Sequence, residues 1–376
     1  MKAYVYTDKG LERYAGRFVW LAINTEEAAN APFLKQYPIP ALPTLLVLDA
    51  KRDAVALRYV GGATVPQLQK MLDDAEKTYR ARGQSAADTA LARADRIAAS
   101  GKNAEAVKAY EEALAAAPKK WPRFGRAAES LMFALSGDPA RCAARAWELY
   151  PRVKGTTSAA NVAATGLSCA AGLDKEAPRR NELLESLEKA TRETFDDKRI
   201  VMSDDDRSGL YTALIDARDA AGDDEAVVAL KAEWVSFLES AAARAKTAEQ
   251  RAVYDSHRLS AYLDLGTPEK AIPMLQQSER DFPNDSNPPA RLAAAYRAMK
   301  KYDEALAASD RALSKISGPR RLNVLTTRAD IYKDKGDLDS ARKTIAEAVA
   351  YAKSLPEGQR NERRIASLEK RLSEMK

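Results

Sequence analysis

Residues 286–317 read SNPPARLAAAYRAMKKYDEALAASDRALSKIS. Ala293, Tyr296 and Met299 form one apolar stripe, and Ala305, Leu306, Ala312 and Leu313 form another. Spacings of three, four and seven place each set on one helical face. The segment therefore reads as two helices joined by a short turn at Lys300. The same grammar recurs along the chain. Gly101, Gly137, Gly172, Gly222, Gly266, Lys300 and Gly336 mark successive turns, spaced by 36, 35, 50, 44, 34 and 36 residues. Glycine suits the end of a helix because it takes positive φ without steric penalty. Five residues after each anchor stands a small or apolar residue: Ala106, Cys142, Ala177, Val227, Ala271, Ala305 and Ala341. Tyr262, Tyr296 and Tyr332 stand four residues before the last three anchors. A period near 34 marks stacked helical hairpins, since one hairpin cannot bury its apolar face alone.

These units resemble tetratricopeptide repeats. The best matches are residues 85–118, with GKNAEAVKAYEEALAAAP, and residues 286–317. YLDLGTPEKAIPML and YKDKGDLDSARKTIAEAV, around Gly266 and Gly336, are nearly as good. The units around Gly137, Gly172 and Gly222 diverge, and the spacings of 50 and 44 imply longer helices or loops near TRETFDDKRIVMSDDD. First-helix residues expected on the concave groove are Asn287, Ala294, Arg297, Asn323, Thr327, Asp330 and Lys333. In the early units Asp88, Asp95, Asp216 and Asp219 are expected to put acids on that face, which argues against clamping a carboxylate tail. In residues 357–376, Ile365, Leu368, Leu372 and Met375 share one face of a charged helix, as suits a terminal cap.

Residues 1–82 read differently. Phe18-Val19-Trp20-Leu21-Ala22-Ile23, Thr44-Leu45-Leu46-Val47-Leu48 and Ala54-Val55-Ala56-Leu57-Arg58-Tyr59-Val60 are short runs of strand formers. Helical patterns occupy 26–36 and 65–82. Alternating strands and helices indicate an α/β layer. The stretch LAINTEEAANAPFLKQYPIPALPTLLVLDAKRDAVALRYVGGATVPQLQKMLDDA resembles the second half of a thioredoxin-like domain. The resemblance implies a cis-proline loop at Leu42, Pro43 and Thr44, with Pro43 cis and Leu42 exposed, and a glycine position at Gly61-Gly62. It also implies redox chemistry from a Cys-x-x-Cys at the first helix, where a thiol pKa is lowered. The chain's cysteines, Cys142 and Cys169, form no such motif. The motif and the family's first strand would fall before Met1, so an upstream start is expected, and the sheet is expected to be weak where that strand is missing.

The fold class expected is mostly α: a helical-hairpin solenoid over 83–356, preceded by a partial α/β thioredoxin-like domain over 1–82 and closed by a capping helix over 357–376. The chain has 376 residues, 45% hydrophobic and 30% charged, with a net charge of +6. Its charges alternate along helices, the pattern of a solvated surface rather than of a nucleic-acid face. No run of eighteen apolar residues spans a membrane. No basic-then-apolar leader precedes the fold, so the chain as written reads as cytoplasmic, or as exported to the periplasm if a signal peptide lies upstream. His257 stands alone, so no metal site is expected. Cys142 and Cys169 are expected to be packing residues, because a disulfide would need neighbouring hairpins to align. Asp204-Asp205-Asp206 reads as a helix start capped by Ser203. No phosphate loop, nucleophile elbow or carboxylate pair suggests catalysis. The expectation is a cofactor-free, non-enzymatic module that binds a protein or peptide, with no nucleic acid and no membrane insertion. The rivals are a thiol-disulfide oxidoreductase with its catalytic cysteines upstream, and a purely structural scaffold.

Overall fold

The computed structural model describes residues 1–80 and 84–375. The expected boundary between residues 82 and 83 lies outside the described residues, as does Lys376. The chain forms two compact units. The first comprises Met1–Phe18 and Pro38–Trp234, the second Val19–Tyr37 and Val235–Lys376.

The first unit opens on a small α/β layer. Strands β1 (Thr44–Asp49) and β2 (Ala54–Val60) form an antiparallel pair with Leu45 opposite Tyr59 and Val47 opposite Leu57. One face packs Leu57, Tyr59, Leu68, Met71 and Leu72 with Val5 and Tyr14. Tyr14 is fully buried, and its hydroxyl donates to the Gln69 carbonyl and to Asp73, both at 2.8 Å. Two expected elements differ. Residues 18–23 form no strand: the only sheet among the described residues is the β1–β2 pair, and Val19 and Leu21 are 88% and 77% exposed. An extended run becomes a strand only when a neighbour satisfies its ladder. The helix expected over 26–36 shortens to α1 (Ala31–Gln36), because Pro32 is tolerated only in a first turn. Helix α2 (Val65–Arg80) follows the hairpin.

Paired helices follow: α3 (Ala86–Ala99), α4 (Asn103–Ala115), α5 (Phe124–Leu135), α6 (Pro139–Val153), α7 (Ser158–Ala171), α8 (Arg180–Asp196), α9 (Asp204–Ala220) and α10 (Asp224–Ala243). Each contacts the next along α3 to α9, and first helices also touch first helices, α5 to α7 and α7 to α9. That is the contact pattern of stacked hairpins. The divergent units owe their longer spacing to α8, α9 and α10, of 17, 17 and 20 residues. Ser203 and Asp206 form a reciprocal cap at the start of α9, as the acid run suggested.

The second unit contains α1, α11 (Ala248–Ala252), α12 (Asp255–Asp264), α13 (Ala271–Asp281), α14 (Asn287–Ala298), α15 (Tyr302–Leu313), α16 (Arg321–Lys335), α17 (Leu338–Ser354) and α18 (Glu362–Glu374). Its core runs from Leu259, Tyr262 and Leu275 to Leu292, Ala305 and Ile331. Ile365 and Leu368 of α18 close a second cluster with Leu322, Leu325 and Ala352. Segment 25–35 packs on the turns before α16 and α18. Gln359 Nε2 donates to the Thr25 carbonyl at 2.8 Å, and Glu26 accepts the Arg320 backbone N–H at 2.8 Å.

The hairpin register holds at six of its seven small positions. Ala106, Cys142, Ala271, Ala305 and Ala341 are fully buried and Val227 nearly so. Ala177 is the exception, because α8 begins only at Arg180 and Leu183 and Leu184 take the packing role. The turns at Gly101, Gly222, Gly266 and Gly336 use positive φ, and Lys300 adopts it too at 58°, whereas Gly172 sits at −78°.

The two cysteines are not separate packing residues. Cys142 of α6 and Cys169 of α7 form a disulfide, with Cα atoms 6.1 Å apart. The helices approach closely here because Gly166 has no side chain; a Cβ there would lie 2.2 Å from that of Ala146. Sequence spacing could not show this approach.

Candidate functional site

The Leu42–Pro43 peptide is cis, and Leu42 is 58% exposed. The Pro43 carbonyl accepts the Gly61 N–H at 2.9 Å, and Thr44 Oγ1 donates to the Ala41 carbonyl at 2.7 Å. The loop thus stands at the head of β1, closed onto the end of β2. Neither cysteine is a free thiol.

In the second unit, the expected groove residues separate into three situations. Arg297 on α14 reaches across to α16, donating to Asp334 at 2.7 Å and to Asp330 at 3.4 Å. Asp330 also accepts from Arg371 of α18. Asn323 accepts from Arg364 of α18 at 3.1 Å. The structure therefore brings Arg297, Asn323 and Asp330 onto one polar strip across α14, α16 and α18. Asn287 does not join it: it is held in the first turn of α14, bonded to Asp285 and accepting from Arg320 at 2.7 Å. Lys333 is exposed and makes no ion pair among the described residues. Sequence reasoning missed Asp334, Arg364 and Arg371. Their spacing carried a signal, since Asp330 and Asp334 are four apart and Arg364 and Arg371 seven apart, each pair on one face.

Asp88 and Asp95 do not display acid on a groove. Asp88 caps α3 with Ser85 and accepts from Trp121 Nε1 and Arg123, both at 2.8 Å. Asp95 is fully buried, accepting from Tyr110 at 2.9 Å and Arg126 at 2.7 Å. The face of α3 and α5 that would have been groove is instead covered by β2. Tyr59 of β2 donates to Glu129 of α5 at 2.7 Å. Burial pushes the Glu129 carboxyl above the usual range, and nearby Asp206 adds to this. Burial likewise pushes Tyr59 and Tyr110 far up, so both stay neutral hydroxyl donors. Asp216 and Asp219 are exposed on α9. His257 is half-buried in α12, and no cluster of metal-ligating side chains occurs among the described residues.

A tetratricopeptide repeat family profile matches residues 322–354, the span of α16 and α17. The match covers one hairpin, and the paired helices around it share its stacked-hairpin contacts, which supports tetratricopeptide-like repeats. Among solved structures the chain is similar to the TPR2AB-domain:pHSP90 complex of yeast Sti1, at 15% identity and a TM-score of 0.28, covering 76% of this chain and 98% of that one. It is also similar to the APC/C hetero-tetramer Cut9-Hcn1, at 13% identity and a TM-score of 0.25. There the match covers 81% of this chain and 59% of that chain, so the chain spans less than two thirds of its length. No curated protein matches the chain. No helix among the described residues is long and apolar enough to cross a membrane.

Proposed function

We propose that the protein is a protein-interaction module that binds a protein or peptide partner on the polar strip of α14, α16 and α18. In this reading residues 1–82 are a redox-inactive, thioredoxin-like part, 83–356 the repeats and 357–376 the cap. The observation that carries it is the strip's exposure. The side chains of Arg297, Asp330, Asp334 and Arg371 are each between 27% and 37% exposed. Ion pairs this open are worth about 0–1 kcal/mol, so a partner's charges can replace them at little cost. Lys333 beside them supplies an uncommitted cation. The cis-proline loop at Leu42, Pro43 and Thr44 is a second exposed feature of the same reading, without a thiol to serve it.

The test is capture of partners from extract of the source cells by the full chain, compared with the Arg297→Glu and Asp330→Arg variants. The reading expects the captured set to lose members in both variants. An unchanged set would place binding elsewhere. The redox-inactive part of the reading is checked separately by insulin reduction: turnover above that of a cysteine-free variant would refute it.

A further inference from the structure

Where β2 crosses α3 and α5, two guanidinium groups enter a buried cluster with too few acceptors. Arg126 donates to Asp95 at 2.7 Å and to the Arg58 carbonyl at 3.3 Å. Arg58 is only 5% exposed, yet it has no carboxylate within ion-pair distance and no side-chain hydrogen bond among the described residues. It rests over the Phe133 ring, 5.8 Å from the centroid. The Nε–H groups of both arginines are buried without an acceptor. Both charges are felt at the Tyr110 hydroxyl, so the two groups share one neighbourhood.

Among the described residues, the carboxylates of this cluster are engaged elsewhere. Asp95 is taken by Arg126 and Tyr110. Asp74 and Asp88 are committed to Arg123, at 3.0 and 2.8 Å. Glu129 is engaged by Tyr59 and Ser158 and faces Asp206. A buried guanidinium with unfilled donors is costly, and natural structures rarely leave one so. The cation over the Phe133 ring recovers only part of that cost.

We propose that Arg58, assisted by Arg126, forms a binding site for one carboxylate group. The planar fork of a guanidinium matches the two oxygens of a carboxylate. The surrounding acids, Asp95 above all, disfavour a dianion such as phosphate. Such a carboxylate has two sources: a free short-chain acid or the terminal carboxylate of a peptide. This site lies in the first unit and stands independently of the strip on α14, α16 and α18, so either can fail without the other.

The test is a titration of the ¹⁵N-labelled full chain at constant ionic strength, following the arginine Nε–H resonances. Those of Arg58 and Arg126 are assigned by their loss in Arg58→Met and Arg126→Met. The probes are sodium acetate, inorganic phosphate, and N-acetylated tetra-alanine with either a free or an amidated C-terminus. Acetate or the free-acid peptide is expected to shift both resonances saturably. In Arg58→Lys, which keeps the charge but loses the fork, the half-saturating concentration is expected to rise about tenfold or more, as for loss of a charge-assisted bond. Response to the free-acid peptide but not its amide identifies a partner's terminus as the source; response to acetate alone identifies a small acid. No saturable shift with either, saturation by phosphate alone, or an unchanged half-saturation in Arg58→Lys would overturn the proposal. The wild-type titration decides even if a variant fails to fold.

Discussion

Gly358→Ala should detach the segment around α1 from the second unit while leaving the repeats folded. A Cβ at residue 358 would lie 2.0 Å from the Ala31 carbonyl oxygen and 2.8 Å from the Lys35 nitrogen. Both are backbone atoms of α1, so the clash cannot be relieved by a rotamer change. Gly358 has no left-handed φ, so the cost comes from contact alone. Displacing α1 gives up the Gln359–Thr25 hydrogen bond and the Glu26–Arg320 hydrogen bond. Each is worth about 0.5–1.5 kcal/mol net, or about 1.5–3 where the carboxylate takes part. It also uncovers Leu34, 5% exposed in place, at about 1.5–3 kcal/mol. The exposed Lys35–Glu357 pair adds almost nothing. The total is about 3.5–7.5 kcal/mol, enough to shift a local docking equilibrium but confined to one segment. Hydrogen exchange read by mass spectrometry is the assay. Amides of residues 31–37 should exchange at least tenfold faster in the variant, while those of α14 and α15 are unchanged. Gly209→Ala, in open space within α9, is the control and should stabilise by up to about 1 kcal/mol. Equal protection of residues 31–37 in Gly358→Ala and wild type would refute the close approach on which the reasoning rests.

Ala305→Trp and Ala341→Trp should each destabilise by at least about 1–3 kcal/mol through overpacking at fully buried helix contacts, with Lys370→Trp nearly neutral; urea melts of the three variants test the register. Replacing Cys142 and Cys169 together by alanine should cost about 3–4 kcal/mol, the chain-entropy value for a separation of 27 residues; a midpoint unchanged between the variant and the oxidised protein would count against the bridge. The Glu129 carboxyl is raised in the folded state, so its contribution is fully present below its unfolded value of about 4.5 and is lost as pH rises through the folded value. Glu129→Gln removes that dependence while keeping an acceptor for Tyr59. Its thermal midpoint should therefore gain on wild type as pH rises from 4.5, and a constant difference between the two would exclude the burial effect.

The sequence by itself determined what repeats locally. Apolar spacing placed the helix pairs, the anchors placed their turns, and even Lys300 took the left-handed backbone that its position among the glycines implied. Ser203 and the acids after it announced the start of α9, because a cap is settled within one helical turn. The strand pair β1–β2 and α2 were legible for the same reason. What only the tertiary structure decided was the identity of partners. Residues 18–23 have the composition of a strand but lie outside the sheet formed among the described residues, and β-structure exists only as a ladder between segments. Cys142 and Cys169 look like packing residues until α6 and α7 meet at Gly166. Asp95 reads as a groove acid until β2 covers that face and Arg126 and Tyr110 claim it. Arg58 sits in an apolar strand run with nothing to distinguish it; its isolation follows from where every nearby carboxylate is spent. Helical patterning is a short-range property of one segment. Pairing across segments depends on distances that the chain acquires only when the hairpins stack.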